Sequence, residues 1–238
     1  MALVVPAVLP SSRQELENAL ARIARLPLVS RIQIDIVDGR FATPASWPFS
    51  AEATKSRPSE LEVMVQKGEM LPQLDRFEYE IDLMCLDAER AAQPWLALGA
   101  TRLTFHAESD PDLSRFLASL RGRYGNFVAF GLALNVATDP ALIEPYLDDI
   151  QYVQCMGIAR IGRQGQPFDR RVLERVRGFR ARHPELPVQV DGGVALENAR
   201  ELVALGVSNL IVGSALLRAS DPAALIRAFE ELQSPFGV

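Results

Sequence analysis

Eight short apolar runs recur along this chain, and most are followed by a stretch with helical spacing. That alternation constrains the fold more than any other feature. The runs cover 3–9, 31–37, 80–85, 102–106, 128–134, 152–158, 188–191 and 209–212. Between them, 14–26, 88–98, 113–120, 171–182 and 196–205 repeat apolar residues every three or four positions, and 222–232 closes the chain in the same way. Ser11/Ser12, Asp87, Asp110 and Asp221 sit where helix N-caps belong, and Gly99 and Gly206 sit where helices should stop. Eight β/α units in 238 residues predict an α/β fold, a single (β/α)8 TIM barrel domain spanning 1–238. A doubly wound open sheet is the alternative, but it has no use for an eighth strand and helix.

One segment breaks the rhythm. About 42–77, between the second and third strands, is an insertion: irregular up to Pro58, then 61–65 alternating like an extra strand, then a short helix over 70–77. Connections this long serve as lids, oligomer contacts or binding loops.

The bulk numbers exclude several classes. A net charge of −5 gives no electrostatic case for nucleic acid. No apolar run approaches the ~20 residues of a membrane helix, and the start lacks the basic residues and cleavage site of a leader, so a cytoplasmic chain without membrane contact is expected. Cys85 and Cys155 lie in apolar runs and read as buried free thiols. Of 25 basic residues only Lys55 and Lys67 are lysines, neither on a strand, which argues against Schiff-base chemistry.

Side chains alternate along a strand, so each run has an inward parity. Ile32, Ile34 and Ile36 face the helices, which turns Gln33, Asp35 and Val37 inward. The same reasoning turns Asp82, Met84, Thr104, His106, Gln189 and Asp191 inward. Asp35, Asp82 and Asp191 should therefore converge at the C-terminal strand ends, where barrels of this kind carry their chemistry, with Gln33 and His106 nearby. Three such carboxylates repel unless a cation, a proton or hydrogen bonds offset them. His106 reads either as a satisfied core histidine or as part of the chemistry. Two carboxylates flanking a cavity can take a proton from one face of a carbon and return one to the other, which is epimerisation next to a carbonyl. Gly192–Gly193 and Gly213–Ser214 end two adjacent strands just before helical patterns, a place where backbone N–H groups hold an anion.

Taken in order, several stretches resemble the ribulose-phosphate 3-epimerase family, one of the ribulose-phosphate-binding barrels, over nearly the whole chain. They are Val5-Pro-Ala-Val-Leu9, Ile34-Asp-Ile-Val-Asp-Gly-Arg-Phe41, Asp82-Leu-Met84, Leu103-Thr-Phe-His-Ala-Glu108 and Gly131-Leu-Ala-Leu-Asn-Val-Ala-Thr138, then Gln154-Cys-Met156 with Gly165-Gln-Pro-Phe168, Val190-Asp-Gly-Gly-Val194 and Val212-Gly-Ser-Ala215. The resemblance implies that Asp35 and Asp191 are the paired acid/base, that Gly165, Gly192, Gly193, Gly213 and Ser214 bind phosphate, and that Met84 and Met156 line the site with His106 beside them. It also implies a small phosphorylated sugar as substrate, a divalent metal and a homo-oligomer.

The departures are as informative. The family holds its metal with two histidines and the two aspartates, and the histidine positions are Gln33 and Asp82 here. The all-oxygen set Gln33, Asp35, Asp82 and Asp191 suits Mg²⁺ or Mn²⁺ rather than Zn²⁺; otherwise the site holds no metal, and Asp82 is protonated or hydrogen-bonded. The family's Pro-Ser-Ile-Leu-Ser becomes Pro6-Ala-Val-Leu-Pro10, and its Asn-Pro-Gly-Phe-Gly-Gly-Gln lid becomes Ala159-Arg-Ile-Gly-Arg-Gln-Gly-Gln166. That lid gains Arg160 and Arg163, which either clamp an anion or stand exposed. The expected activity is epimerisation of a ketose phosphate through an enediolate. The alternatives are another phosphosugar isomerase of the superfamily, or a sugar-phosphate-binding barrel that has lost turnover. The superfamily's decarboxylase register reads Asp82-Leu-Met84-Cys-Leu-Asp87, with methionine in the lysine position.

Overall fold

The structure is a computed structural model that describes residues 2–50 and 58–232. Eight strands pair in parallel, each with the next in sequence: β1 (Leu3–Val8), β2 (Arg31–Val37), β3 (Glu78–Met84), β4 (Arg102–His106), β5 (Ala129–Leu134), β6 (Tyr152–Met156), β7 (Val188–Asp191) and β8 (Asn209–Val212). β8 pairs with β1 and closes the barrel, so the (β/α)8 TIM barrel is the fold observed. The helices outside are α1 (Arg13–Ile23), α2 (Glu60–Gln66), α3 (Ala88–Ala97), α4 (Leu113–Tyr124), α5 (Arg171–Arg182), α6 (Leu196–Ala204), α7 (Ser214–Arg218) and α8 (Pro222–Glu231).

Alternation builds the core. Ile32, Ile34, Ile36, Ile81, Leu83, Leu103 and Phe105 point out of the barrel into one apolar cluster with the buried faces of the helices. In α1 that face is Leu16, Ala19, Leu20 and Ile23, and the helix starts where Ser12 accepts the Glu15 N–H. Asp221 caps α8 through the Ala224 N–H in the same way. Asp87 stands at its N-cap position without a side-chain cap bond, and Asp112, rather than Asp110, caps α4. Cys85 and Cys155 are buried free thiols.

The insertion corrects two expectations. Residues 61–65 are helical, within α2, and not an extra strand. Ser59 and Glu62 form a reciprocal capping box, and the buried pair Leu61 and Met64 is spaced by three, so the apparent alternation gave way to a strong helix start. Residues 70–77 form turns instead of a helix, with Pro72 inside and Gln73 at a φ of 53°. The irregular reading up to Pro58 falls partly on 51–57, outside the described residues. Before that gap Trp47 is buried, packs edge-on against Trp95 of α3 at 5.8 Å and donates its Nε1 hydrogen to Glu60 Oε2 at 2.7 Å. The connection from β5 to β6 holds two 3₁₀ turns, Pro140–Leu142 and Glu144–Asp149, in place of an α-helix. Among the described residues no helix is long and apolar enough to cross a membrane.

Candidate active site

Register carries the acidic residues to one level. Asp35 on β2 lies directly beside Asp82 on β3, and Met156 on β6 beside Asp191 on β7. Carboxylate oxygens of Asp35, Asp82 and Asp191 come within 4.8 Å of one another, and all three residues are buried. The expected convergence is therefore present in the fold.

Hydrogen bonds hold the cluster. Gln33 Nε2 donates to Asp35 Oδ1 and to Asp191 Oδ2, both at 2.8 Å. Gln154 Nε2 donates to Asp82 Oδ2 at 3.0 Å and lies 3.4 Å from Asp191 Oδ2. His106 Nε2 lies 3.1 Å from Asp82 Oδ1. The network continues down the barrel axis: Gln189 Nε2 donates to Gln154 Oε1 at 2.7 Å and to Glu80 Oε1 at 2.5 Å, and Glu80 also takes Thr104 Oγ1 at 2.8 Å and Arg102 Nε at 3.0 Å. Gln154, Glu80 and Arg102 were not singled out from the sequence. The inward parity of 152–156 and 78–84 carries that signal, since Gln154 shares its face with Met156 and Glu80 shares its face with Asp82.

Burial sets the charge state. It pushes Asp35 well above the usual carboxylate range, helped by the charges of Asp191 and Asp82 and opposed by the Gln33 hydrogen bond. Burial likewise lifts Asp191 to about 7, with Asp82 adding to the rise and Gln33 and His106 opposing it. For His106 burial acts downward, but the Asp82 charge and hydrogen bond outweigh it and the net shift is upward.

Asp35, Asp191, Met84 and Met156 line a cavity at the barrel mouth, together with the predicted phosphate residues Gly165, Gly192, Gly193, Gly213 and Ser214. Gln33, Asp82 and His106 are fully buried and are not among the lining residues. Gly192 and Gly193 have φ of 100° and 69°, and a Cβ on Gly193 would lie 2.7 Å from the Phe168 Cα, so this turn needs glycine. Arg163 reaches the cavity wall while its Nε donates to Thr43 O at 3.0 Å; Arg160 is exposed and does not line the cavity. Gln164, unnoticed in the sequence, also lines it: its Nε2 is buried without a partner and lies 2.8 Å from where a Gly213 Cβ would be.

A divalent cation at the acidic cluster would draw on the carboxyl oxygens of these same three aspartates. Oxygen donors alone would suit Mg²⁺ or Mn²⁺. Yet Asp35 Oδ1, Asp191 Oδ2 and Asp82 Oδ2 each already accept an amide N–H, and Asp82 Oδ1 faces His106. Gln33 turns hydrogens rather than an oxygen toward the cluster. The residues as arranged do not fit the metal that the resemblance implies.

Comparison with known proteins agrees with this architecture. The profile of the ribulose-phosphate 3 epimerase family matches residues 59–217. The ribulose-phosphate 3-epimerase of Escherichia coli is 29% identical over 146 residues, which are 60% of this chain and 63% of that protein, less than two thirds of its length. The ribulose-phosphate 3-epimerase of Mycobacterium bovis is 25% identical over 233 residues, 95% of this chain and 90% of that one. The solved 3-hexulose-6-phosphate synthase of Salmonella typhimurium covers 97% of both chains with a TM-score of 0.67 at 16% identity, a likeness of fold alone.

Proposed function

This chain belongs to the ribulose-phosphate 3-epimerase family, and from that premise we propose that it epimerises a phosphorylated ketose at the carbon next to the carbonyl. The observation that carries the reading is the pairing of Asp35 and Asp191: both reach one cavity, and both accept hydrogen bonds from a single amide nitrogen. The backbone at Gly192–Gly193 and Gly213–Ser214 anchors the phosphate. One aspartate, ionised, takes the proton from the carbon beside the carbonyl and leaves an enediolate. The other, protonated, returns its proton to the opposite face, and the two exchange roles for the reverse direction. Such a pair needs one proton between two carboxyls, and the raised affinities of both aspartates for protons supply that state near neutrality. No step is assigned to a metal. We read 1–238 as one barrel domain, with the 42–77 insertion packed against it through Trp47, and a homo-oligomer as its assembly.

A second reading, a phosphosugar-binding barrel without turnover, is favoured by Gln33 and Asp82 standing where the family has metal-binding histidines. One experiment separates the two. The protein is incubated with ribulose 5-phosphate in D₂O, with and without Mn²⁺, and the C3 proton is followed by NMR. Exchange that is lost in Asp191→Asn is expected. Binding without exchange under any condition would favour the second reading, and exchange that survives Asp191→Asn would overturn the two-aspartate mechanism.

A further inference from the structure

We infer that the Gln33 carboxamide stands in for the cation: it ties Asp35 to Asp191 directly, and the acidic cluster holds no divalent metal. This deepens the epimerase reading and rests on it for the roles of the two aspartates. The inference itself comes from hydrogen bonding.

A carboxamide nitrogen carries two hydrogens. Gln33 Nε2 commits one to Asp35 Oδ1 and one to Asp191 Oδ2, each at 2.8 Å, so none is left over. Asp82, the carboxylate in register with Asp35, is held from two other directions by Gln154 and His106. A cation on Asp35 Oδ1, Asp191 Oδ2 or Asp82 Oδ2 would have to share that oxygen with an amide hydrogen. Turned over, the Gln33 amide would bring a further oxygen to the cluster, the donor type a hard cation takes. The bonds run the other way, at the cost of leaving Gln33 Oε1 buried without a partner. Gln33 is thus a positioning residue. It fixes the separation of the two carboxyls as a bridging ion would, yet adds no positive charge, so the pair must keep a proton to offset its own repulsion.

The test reads metal rather than turnover. The purified chain is assayed for metal content, for Mn²⁺ binding by electron paramagnetic resonance, and for its melting temperature with and without chelator. The wild type should carry no stoichiometric divalent metal, leave the free Mn²⁺ signal unchanged and melt at the same temperature after chelation. Gln33→Glu replaces the N–H donors with an acceptor of the same shape and should quench the Mn²⁺ signal. The double variant Gln33→His/Asp82→His should take up zinc and lose thermal stability on chelation, which gives a second check if Gln33→Glu fails to fold. Stoichiometric metal in the wild type, or a chelator-induced fall in its melting temperature, would overturn the inference. Absence of C3 exchange both with and without added Mn²⁺, in a chain that binds no metal, would refute the proposed reaction and leave this inference standing. Exchange that requires added Mn²⁺ would do the reverse.

Discussion

His106 Nε2 meets Asp82 Oδ1 at 3.1 Å in the middle of the barrel, with both side chains wholly buried. Removing His106 leaves Asp82 Oδ1 without its partner, with only the Gln154 bond to Oδ2 remaining. His106→Ala should cost about 3–5 kcal/mol, the range for breaking a buried ion pair. His106→Gln, which keeps an N–H donor, should cost clearly less. Urea unfolding of the two variants near neutral pH checks this, and equal losses would mean that Asp82 does not depend on its partner.

Asp35, Asp191 and His106 give the protein a pH-dependent stability of definite sign. All three hold protons more tightly when folded than when unfolded. For Asp191 the contribution is complete below the ordinary carboxylate value of 3.8 and is lost as pH rises through about 7. His106 acts in the same direction, its share being lost as pH rises through its elevated folded value. The urea midpoint should therefore fall as pH rises from about 4 through about 7, and Asp191→Asn should flatten that fall. Turnover should move the other way, rising as Asp191 ionises near 7 and declining once Asp35 gives up its proton.

Gly193 cannot accept a side chain without moving the loop that carries Phe168. Gly193→Ala faces both a φ of 69° and a backbone contact at 2.7 Å. It should weaken binding of inorganic phosphate, measured by calorimetry, while the far-ultraviolet circular dichroism stays that of the barrel.

Gln164 offers the cavity, and so the proposed phosphate site, a donor with nothing to donate to. Gln164→Ala should raise KM for a phosphorylated substrate and leave kcat nearly unchanged. A hydrogen bond to a charged group contributes about 1.5–3 kcal/mol, on the order of a ten- to hundredfold change in KM. An unchanged KM would remove Gln164 from the phosphate site.

Parity was the part of the site that the sequence spelled out. Asp35, Asp82 and Asp191 share an inward face because the period of a strand is two, whatever its neighbours are. Their partners are another matter. Gln154 reaches Asp82 across 72 positions and Gln33 reaches Asp191 across 158, contacts created by closing the barrel and invisible in any local window. Segment 61–65 misled for the opposite reason: its alternation is real, but Ser59, two residues before it, caps Glu62 within it and decides for a helix. The cage around Gln164 depends on how the loop 159–166 folds over Gly213, which no spacing rule reports.

The interior chain from Arg102 through Glu80, Gln189 and Gln154 to Asp82 and Asp191 has a consequence for anyone reshaping this protein. In many barrels the rim opposite the active site is inert scaffold, to be altered for solubility or stability at will. Here Arg102, at the start of β4, is joined to both carboxylates by an unbroken string of side-chain contacts. A library that varies only the mouth loops leaves half of the wiring untouched. A change at Arg102, remote from any substrate, should behave in laboratory evolution like a change in the active site itself.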